Sequence, residues 1–129
     1  MTRLKLYIAS KISQADRWKA LEPHWPEIKL VSRWIKLHVG NTPDDPAFAK
    51  IFWQHDHEDV QACDVLLLFA EDGEHLRGGL VEAGMALALG KPVICVGDHP
   101  DYGTWQWHAQ VFRVINLDEA RILLRCLAM

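Results

Sequence analysis

Lysine and arginine are not in excess. Fourteen of them face 17 aspartates and glutamates, a formal net charge of -3 with the signs scattered along the 129 residues. A polyanionic partner calls for a basic face, so a nucleic-acid polymer is not expected to bind. Cysteine is scarce as well. Cys63, Cys95 and Cys126 are odd in number, far apart and each within an apolar run. No CxxC or Cys/His pairing has metal-site spacing, which leaves buried reduced thiols as the reading and a reducing cytosol as the setting. No apolar run approaches the length of a membrane span. Met1 to Leu6 passes directly into a strand without the apolar core or cleavage site of a signal peptide. A cytoplasmic protein without a membrane partner is therefore expected. Internal repeats, low-complexity tracts and linkers are also missing, which predicts one domain over residues 1–129.

What is present is ordinary for a globular chain: 50% apolar and 24% charged residues, enough to bury a core at this length. The apolar segments alternate in type. Leu4 to Ala9 reads as a short buried strand, Gln14 to Leu21 as a helix and Ile28 to Val31 as a second strand. After the turn-rich Gly40 to Pro46, a helix is expected from about Ala47 to Ala62. Val65 to Phe69 is unbroken apolar sequence, the pattern of a strand covered on both faces of a parallel sheet. Leu80 to Leu89 reads as a helix ended by Gly90. The strand Val93 to Val96, a loop from Asp98 to Ala109, a strand from Val111 to Ile115 and a helix from Leu117 to Leu127 complete the chain. Strands separated by helices predict a flavodoxin-like or Rossmann-like three-layer α/β sandwich, with five parallel strands in the order 2-1-3-4-5. Such sheets bind ligands beyond the carboxyl ends of their strands, which selects Ser10 to Ser13, Ala70 to Glu82 and Gly97 to His108.

Several residues in or near these segments can carry chemistry. Glu82 follows the turn Arg77-Gly78-Gly79. A carboxylate in the first turn of a helix is favoured in its ionised form, and at a ligand-binding edge it suits attack on a sugar carbon. A capping glutamate without chemistry would read the same. Asp56, in Gln54-His55-Asp56-His57-Glu58-Asp59, reads on composition as part of a solvated helix face. His55 and His57, two apart, are a poor metal pair, and no metal site is expected. Tyr7 reads as a core aromatic whose hydroxyl needs a partner. The Gly78-Gly79 pair lacks GxGxxG spacing, and no Walker lysine-serine motif is present. Ser10, Lys11 and Ser13, between the first strand and helix, offer hydroxyls, an ammonium and free N–H groups to an anion such as a single phosphate, with Arg77 able to reach in. The same residues also fit a solvated loop with a helix cap. Trp18, Trp34 and Trp53 are expected to pack on the sheet. Trp105 and Trp107 lie in a loop, placed to stack on a flat base, bury in a subunit contact or anchor the loop.

Taken in order, Leu6-Tyr7-Ile8-Ala9, Val31-Ser32-Arg33-Trp34, Asp56 eight residues before Asp64, and the long segment Arg77-Gly78-Gly79-Leu80-Val81-Glu82-Ala83-Gly84 through Gly90-Lys91-Pro92-Val93 resemble the nucleoside 2-deoxyribosyltransferase family and its nucleotide N-hydrolase relatives. The resemblance covers nearly the whole chain. It implies that Glu82 attacks C1′ and expels the base, that Tyr7 holds that carboxylate, and that Asp56 contacts sugar or base and helps protonate the leaving group. It implies a small nucleoside or nucleotide as substrate and no metal or redox cofactor. A homodimer or higher homo-oligomer is expected because cyclic and dihedral pairing is common; the resemblance implies that a neighbour's loop completes each pocket, and Trp105 to His108, aromatic and following the fourth strand, is the candidate for that loop. The chain departs from the family at Ser10, where glycine is usual. It also shows no clear counterpart of a second aspartate upstream of Glu82; Asp72 and Glu74 are the candidates. A non-catalytic nucleotide-binding or sensing module on the same scaffold is the competing reading.

Overall fold

The computed structural model describes residues 3–37 and 45–129. The five strands are β1 (Leu4–Ala9), β2 (Ile28–Leu30), β3 (Val65–Phe69), β4 (Val93–Val96) and β5 (Val111–Val114). All pair in parallel, in the order β2-β1-β3-β4-β5. The helices are α1 (Ala15–Leu21), α2 (Trp34–Leu37), α3 (Pro46–Ala62), α4 (Gly78–Ala88) and α5 (Leu117–Ala128). Architecture and strand order are those read from the sequence. Most of the expected loop from Gly40 to Pro46 lies outside the described residues.

The central strands carry the core, as their apolar runs require. Every residue of β3 and β4 is buried, and Leu6, Ile8, Leu66, Leu67, Leu68 and Ile94 are fully so. Strands buried on both faces have no polar side, which is why their sequences do not alternate. The α3 start is set by Asp45, whose side chain accepts the Ala47 N–H at 2.9 Å, with Pro46 at the first helical position. Gly90 ends α4 with φ +74°, a left-handed conformation that a side chain would strain. Lys91 Nζ then donates to the Cys63 and Gln61 carbonyls at 2.7 and 2.9 Å, capping the end of α3.

Three expectations change. The short helix α2 was not foreseen: Trp34, read as sheet packing, begins it while its Nε1 donates to the Ile8 carbonyl at 2.8 Å. The expected loop from Asp98 to Ala109 holds a 3-10 turn at Thr104–Trp107. Of the three cysteines, Cys63 and Cys95 are buried and Cys126 is exposed. Cys126 falls with Ile122 on the solvent side of α5, away from the buried Ala120 and Leu124.

The order in which strands are added reverses between β1 and β3, while every strand stays parallel to its neighbours. The connections that leave the carboxyl ends of β1 and β3 run to opposite sides there and leave a crevice.

Candidate active site

A cleft of about 800 Å³ opens there. One wall is the turn after β1, with Ser10, Lys11 and Ser13. Another is the segment after β3, with His75, Leu76 and Arg77 running into Gly78, Gly79 and Glu82 of α4. The third is one face of α3, with Ala49, Phe52, Trp53 and Asp56, joined by Trp34.

Glu82 is not where the sequence placed it electrostatically. It is the fifth residue of α4, a turn beyond the free N–H groups, and no acidic residue occupies the first turn. Its residue exposure is 8%. Burial, then the charge of Asp56, pushes its carboxyl well above the usual carboxylate range, with the Tyr7 hydroxyl opposing. The expectation of a carboxylate ionised by the helix end is therefore corrected: the isolated site favours the neutral acid. Asp56, also 8% exposed, is not on a solvated face. Burial pushes it to about 6; the Tyr7 hydroxyl and the Arg33 charge pull it down and the Asp59 charge pushes it up.

Tyr7 is fully buried behind these acids. Burial and the charges of Glu82 and Asp56, in that order, hold its hydroxyl protonated. The hydroxyl favours the ionised form of both carboxyls, yet meets neither at full hydrogen-bond geometry: Tyr7 Oη and Asp56 Oδ1 are both buried without a partner. Two acids of the pocket wall and a phenol buried behind them thus have hydrogen-bonding capacity unspent, an arrangement that favours a polar ligand.

The glycines are explained by close approach. A Cβ on Gly79 would stand 3.2 Å from Leu68 Cδ1 and 3.3 Å from Leu76 Cδ2; one on Gly78 would stand 3.4 Å from the Trp53 ring. The start of α4 therefore lies directly on β3 and under Trp53. Ser10 does not present a free hydroxyl: its Oγ accepts from Trp18 Nε1 at 2.8 Å and donates to the Lys11 carbonyl at 3.2 Å. Lys11, Ser13 and Arg77 are all exposed along the cleft.

Other expected residues are not brought together. Trp105 packs edge-on against Tyr102, with ring centroids 6.3 Å apart, and His108 Nδ1 accepts the Gln110 N–H at 3.0 Å; neither lines the cleft of this chain. Asp72 and Glu74 do not line it either. The Glu74 carboxylate accepts from Gln14 Nε2 at 3.1 Å and from the Glu71 N–H at 2.8 Å, so it holds the loop. Trp53 does not pack on the sheet but lines the cleft, as do Phe52 and Ala49. Their signal was available: Ala49, Phe52, Trp53 and Asp56 recur at the spacing of one helical face.

No family model and no curated protein sequence matches the chain. Solved structures do. The 2-deoxyribosyltransferase of the psychrotolerant bacterium Bacillus psychrosaccharolyticus aligns with a TM-score of 0.69 at 14% identity, over 91% of this chain and 90% of its own. The CMP N-glycosidase of Clostridium botulinum aligns with a TM-score of 0.61 at 19% identity, over 95% and 98%. A conserved protein from Enterococcus faecalis V583 aligns with a TM-score of 0.58 at 22% identity, over 98% and 88%. The fold is shared with these proteins, and the resemblance drawn from the sequence has its structural counterpart among them.

Proposed function

We propose that the cleft cleaves or transfers at the N-glycosidic bond of a nucleoside or nucleoside 5′-monophosphate through a covalent glycosyl-Glu82 intermediate. One observation carries this reading: two buried carboxyls line a cleft at the sheet's switch point, with a phenol buried behind them. Burial favours the neutral form of both acids, and the charge of Asp56 favours it further at Glu82, so the pair retains a proton above the usual carboxylate range. That inventory suits the reaction, which needs one carboxylate and one acid.

In the first step a Glu82 oxygen bonds to C1′ as the C1′–N bond breaks. The proton that the empty site keeps on Glu82 stands on Asp56 once substrate is bound; the bonding pair goes to the base nitrogen, and that proton goes from Asp56 to the departing base. In the second step water, or a second base, attacks C1′. Asp56 takes the proton of the attacking group, and Glu82 leaves as a carboxylate. The positive charge that develops on the sugar ring stabilises the Glu82 carboxylate, which offsets the burial that disfavours it in the empty site. Tyr7 orients both acids. Phe52 and Trp53 give a base a flat apolar wall. A second copy of the chain, supplying the Trp105 to His108 loop, belongs to the same proposal.

Support comes from the two similar structures, one a 2-deoxyribosyltransferase and one a CMP N-glycosidase. Incubation with nucleosides and 5′-monophosphates, followed by chromatography of free base, tests the reading. Binding without base release would favour a non-catalytic nucleotide-binding module instead.

A further inference from the structure

Behind Asp56 lies a third buried acid that the proposed chemistry does not use. Asp59 is 6% exposed and sits one turn along α3, where Cβ atoms three residues apart are roughly 5–6 Å from each other. Arg33, from the turn between β2 and α2, meets it as a carboxylate. The Arg33 N–H donates to Asp59 Oδ2 at 2.9 Å, and Arg33 Nε donates to Oδ1 at 2.9 Å and to Oδ2 at 3.2 Å. The same guanidinium divides its charge, since Nη2 also donates to Glu58 Oε2 at 2.8 Å and to the His55 carbonyl at 3.4 Å.

The groups around Asp56 are therefore Tyr7 from β1, Glu82 from α4, Asp59, His55 and Glu58 on its own helix, and Arg33 from the turn before α2. Lys11, His75 and Arg77 line the same cleft. Among the described residues, no ion pair involves Asp56 or Glu82. Arg33 is the cation built into the wall behind them. A buried carboxylate left bare costs several kcal/mol, so a guanidinium aimed at Asp59 has a structural reason. It does not explain why a carboxylate stands there at all, one turn from the reacting acids.

We propose that Arg33 and Asp59 are a charge-setting pair, positioning residues that act through Asp56 to fix which protonation state the site adopts. Asp59 places negative charge beside Asp56 and favours its neutral form. Arg33 cancels part of that charge. Removing one or the other should therefore move the Asp56 midpoint in opposite directions, which an ion pair electrostatically remote from Asp56 would not do. Its consequence for turnover rests on the glycosidase or transferase reading; the charge relationship does not.

The test is a carbon-detected NMR titration of the Asp56 carboxyl in the free, full-length protein, assigned with Asp56→Asn. Asp59→Asn should lower the midpoint by on the order of half a pH unit, and Arg33→Met should raise it by a similar amount. The double variant Arg33→Met with Asp59→Asn should lie near wild type. If Arg33→Met does not fold, the comparison of Asp59→Asn with the double variant decides, since neither leaves Asp59 as a bare charge. A midpoint that stays in place, or that moves equally in Asp59→Asn and the double variant, overturns the proposal. With a substrate in hand, the pH profile of base release by Asp59→Asn should shift to lower pH. If the wild-type protein releases no base, the functional reading fails while the titration still decides this one.

Discussion

The Asp101 carboxylate accepts the backbone N–H of Leu76 at 2.7 Å, tying the loop after β4 to the wall of the cleft. Leu76 is buried and packs where a Cβ on Gly79 would stand, so this bond helps hold the start of α4 and with it Glu82. His99 supports it from behind, its Nδ1 accepting the Asp101 N–H at 3.0 Å. A hydrogen bond to a charged group contributes about 1.5–3 kcal/mol. Asp101→Ala should accordingly speed hydrogen exchange at the Leu76 amide by about 10- to 100-fold, while Asp101→Asn, which keeps an acceptor, should change it much less. Unaltered exchange in Asp101→Ala would mean that the bond does not hold the wall.

Gly79→Ala should destabilise, against the usual gain of about 1 kcal/mol for replacing glycine within a helix. The added methyl would meet Leu68 and Leu76 at 3.2 and 3.3 Å, and Leu68, fully buried in β3, would have to shift within a packed core. Overpacking of this kind costs about 1–3 kcal/mol. A lower urea midpoint at an unchanged slope is the expected result.

Stability should depend on pH through the paired acids. Glu82 and Asp56 are both raised in the folded protein, so the fold binds protons that the unfolded chain releases. Their contribution is present in full below the unfolded carboxylate range and is lost as pH rises through about 6 and beyond. Glu27 and Glu58 are lowered, each first by a hydrogen bond from arginine, and act in the opposite sense at lower pH. Comparison with Glu82→Gln separates the two effects. The variant should gain thermal stability relative to wild type as pH rises from about 5 to 8. A constant difference across that range would show that Glu82 is not raised.

The strand order was legible in the uninterrupted apolar strands, whereas Tyr7, Asp56 and Glu82 were drawn together by the family resemblance and not by their local pattern. What the sequence concealed depends on tertiary contact. Glu82 looked like a first-turn carboxylate, but the helix begins at Gly78 and buries it against Asp56. Asp56 and Asp59 looked solvated because the run Gln54 to Asp59 is polar, yet both face inward while Glu58 stays outside. The 3-10 turn at Thr104–Trp107, which packs Trp105 on Tyr102 and keeps it off this chain's own cleft, has no signal in the loop's sequence.

Substrate phosphate gives a separate test. Lys11, Ser13 and Arg77 line one cleft, so Lys11→Ala should weaken a 5′-monophosphate by about tenfold or more and the matching nucleoside hardly at all. Competition or steady-state KM values for the two substrates check this. Equal loss for both, or none, would shift the reading toward a nucleoside as the natural substrate.

The covalent role of Glu82 is the centre of the account. The direct measurement is intact-protein mass spectrometry after rapid acid quench with a deoxynucleoside 5′-monophosphate, or a deoxynucleoside, run beside the free-base assay. The expected result is a wild-type protein carrying the mass of the sugar or sugar phosphate on a peptide that contains Glu82. Glu82→Ala should show no adduct and base release reduced by about a thousandfold or more, with its fold intact by circular dichroism. A Glu82→Ala protein that releases base at near the wild-type rate, or an adduct on any other residue, would contradict it.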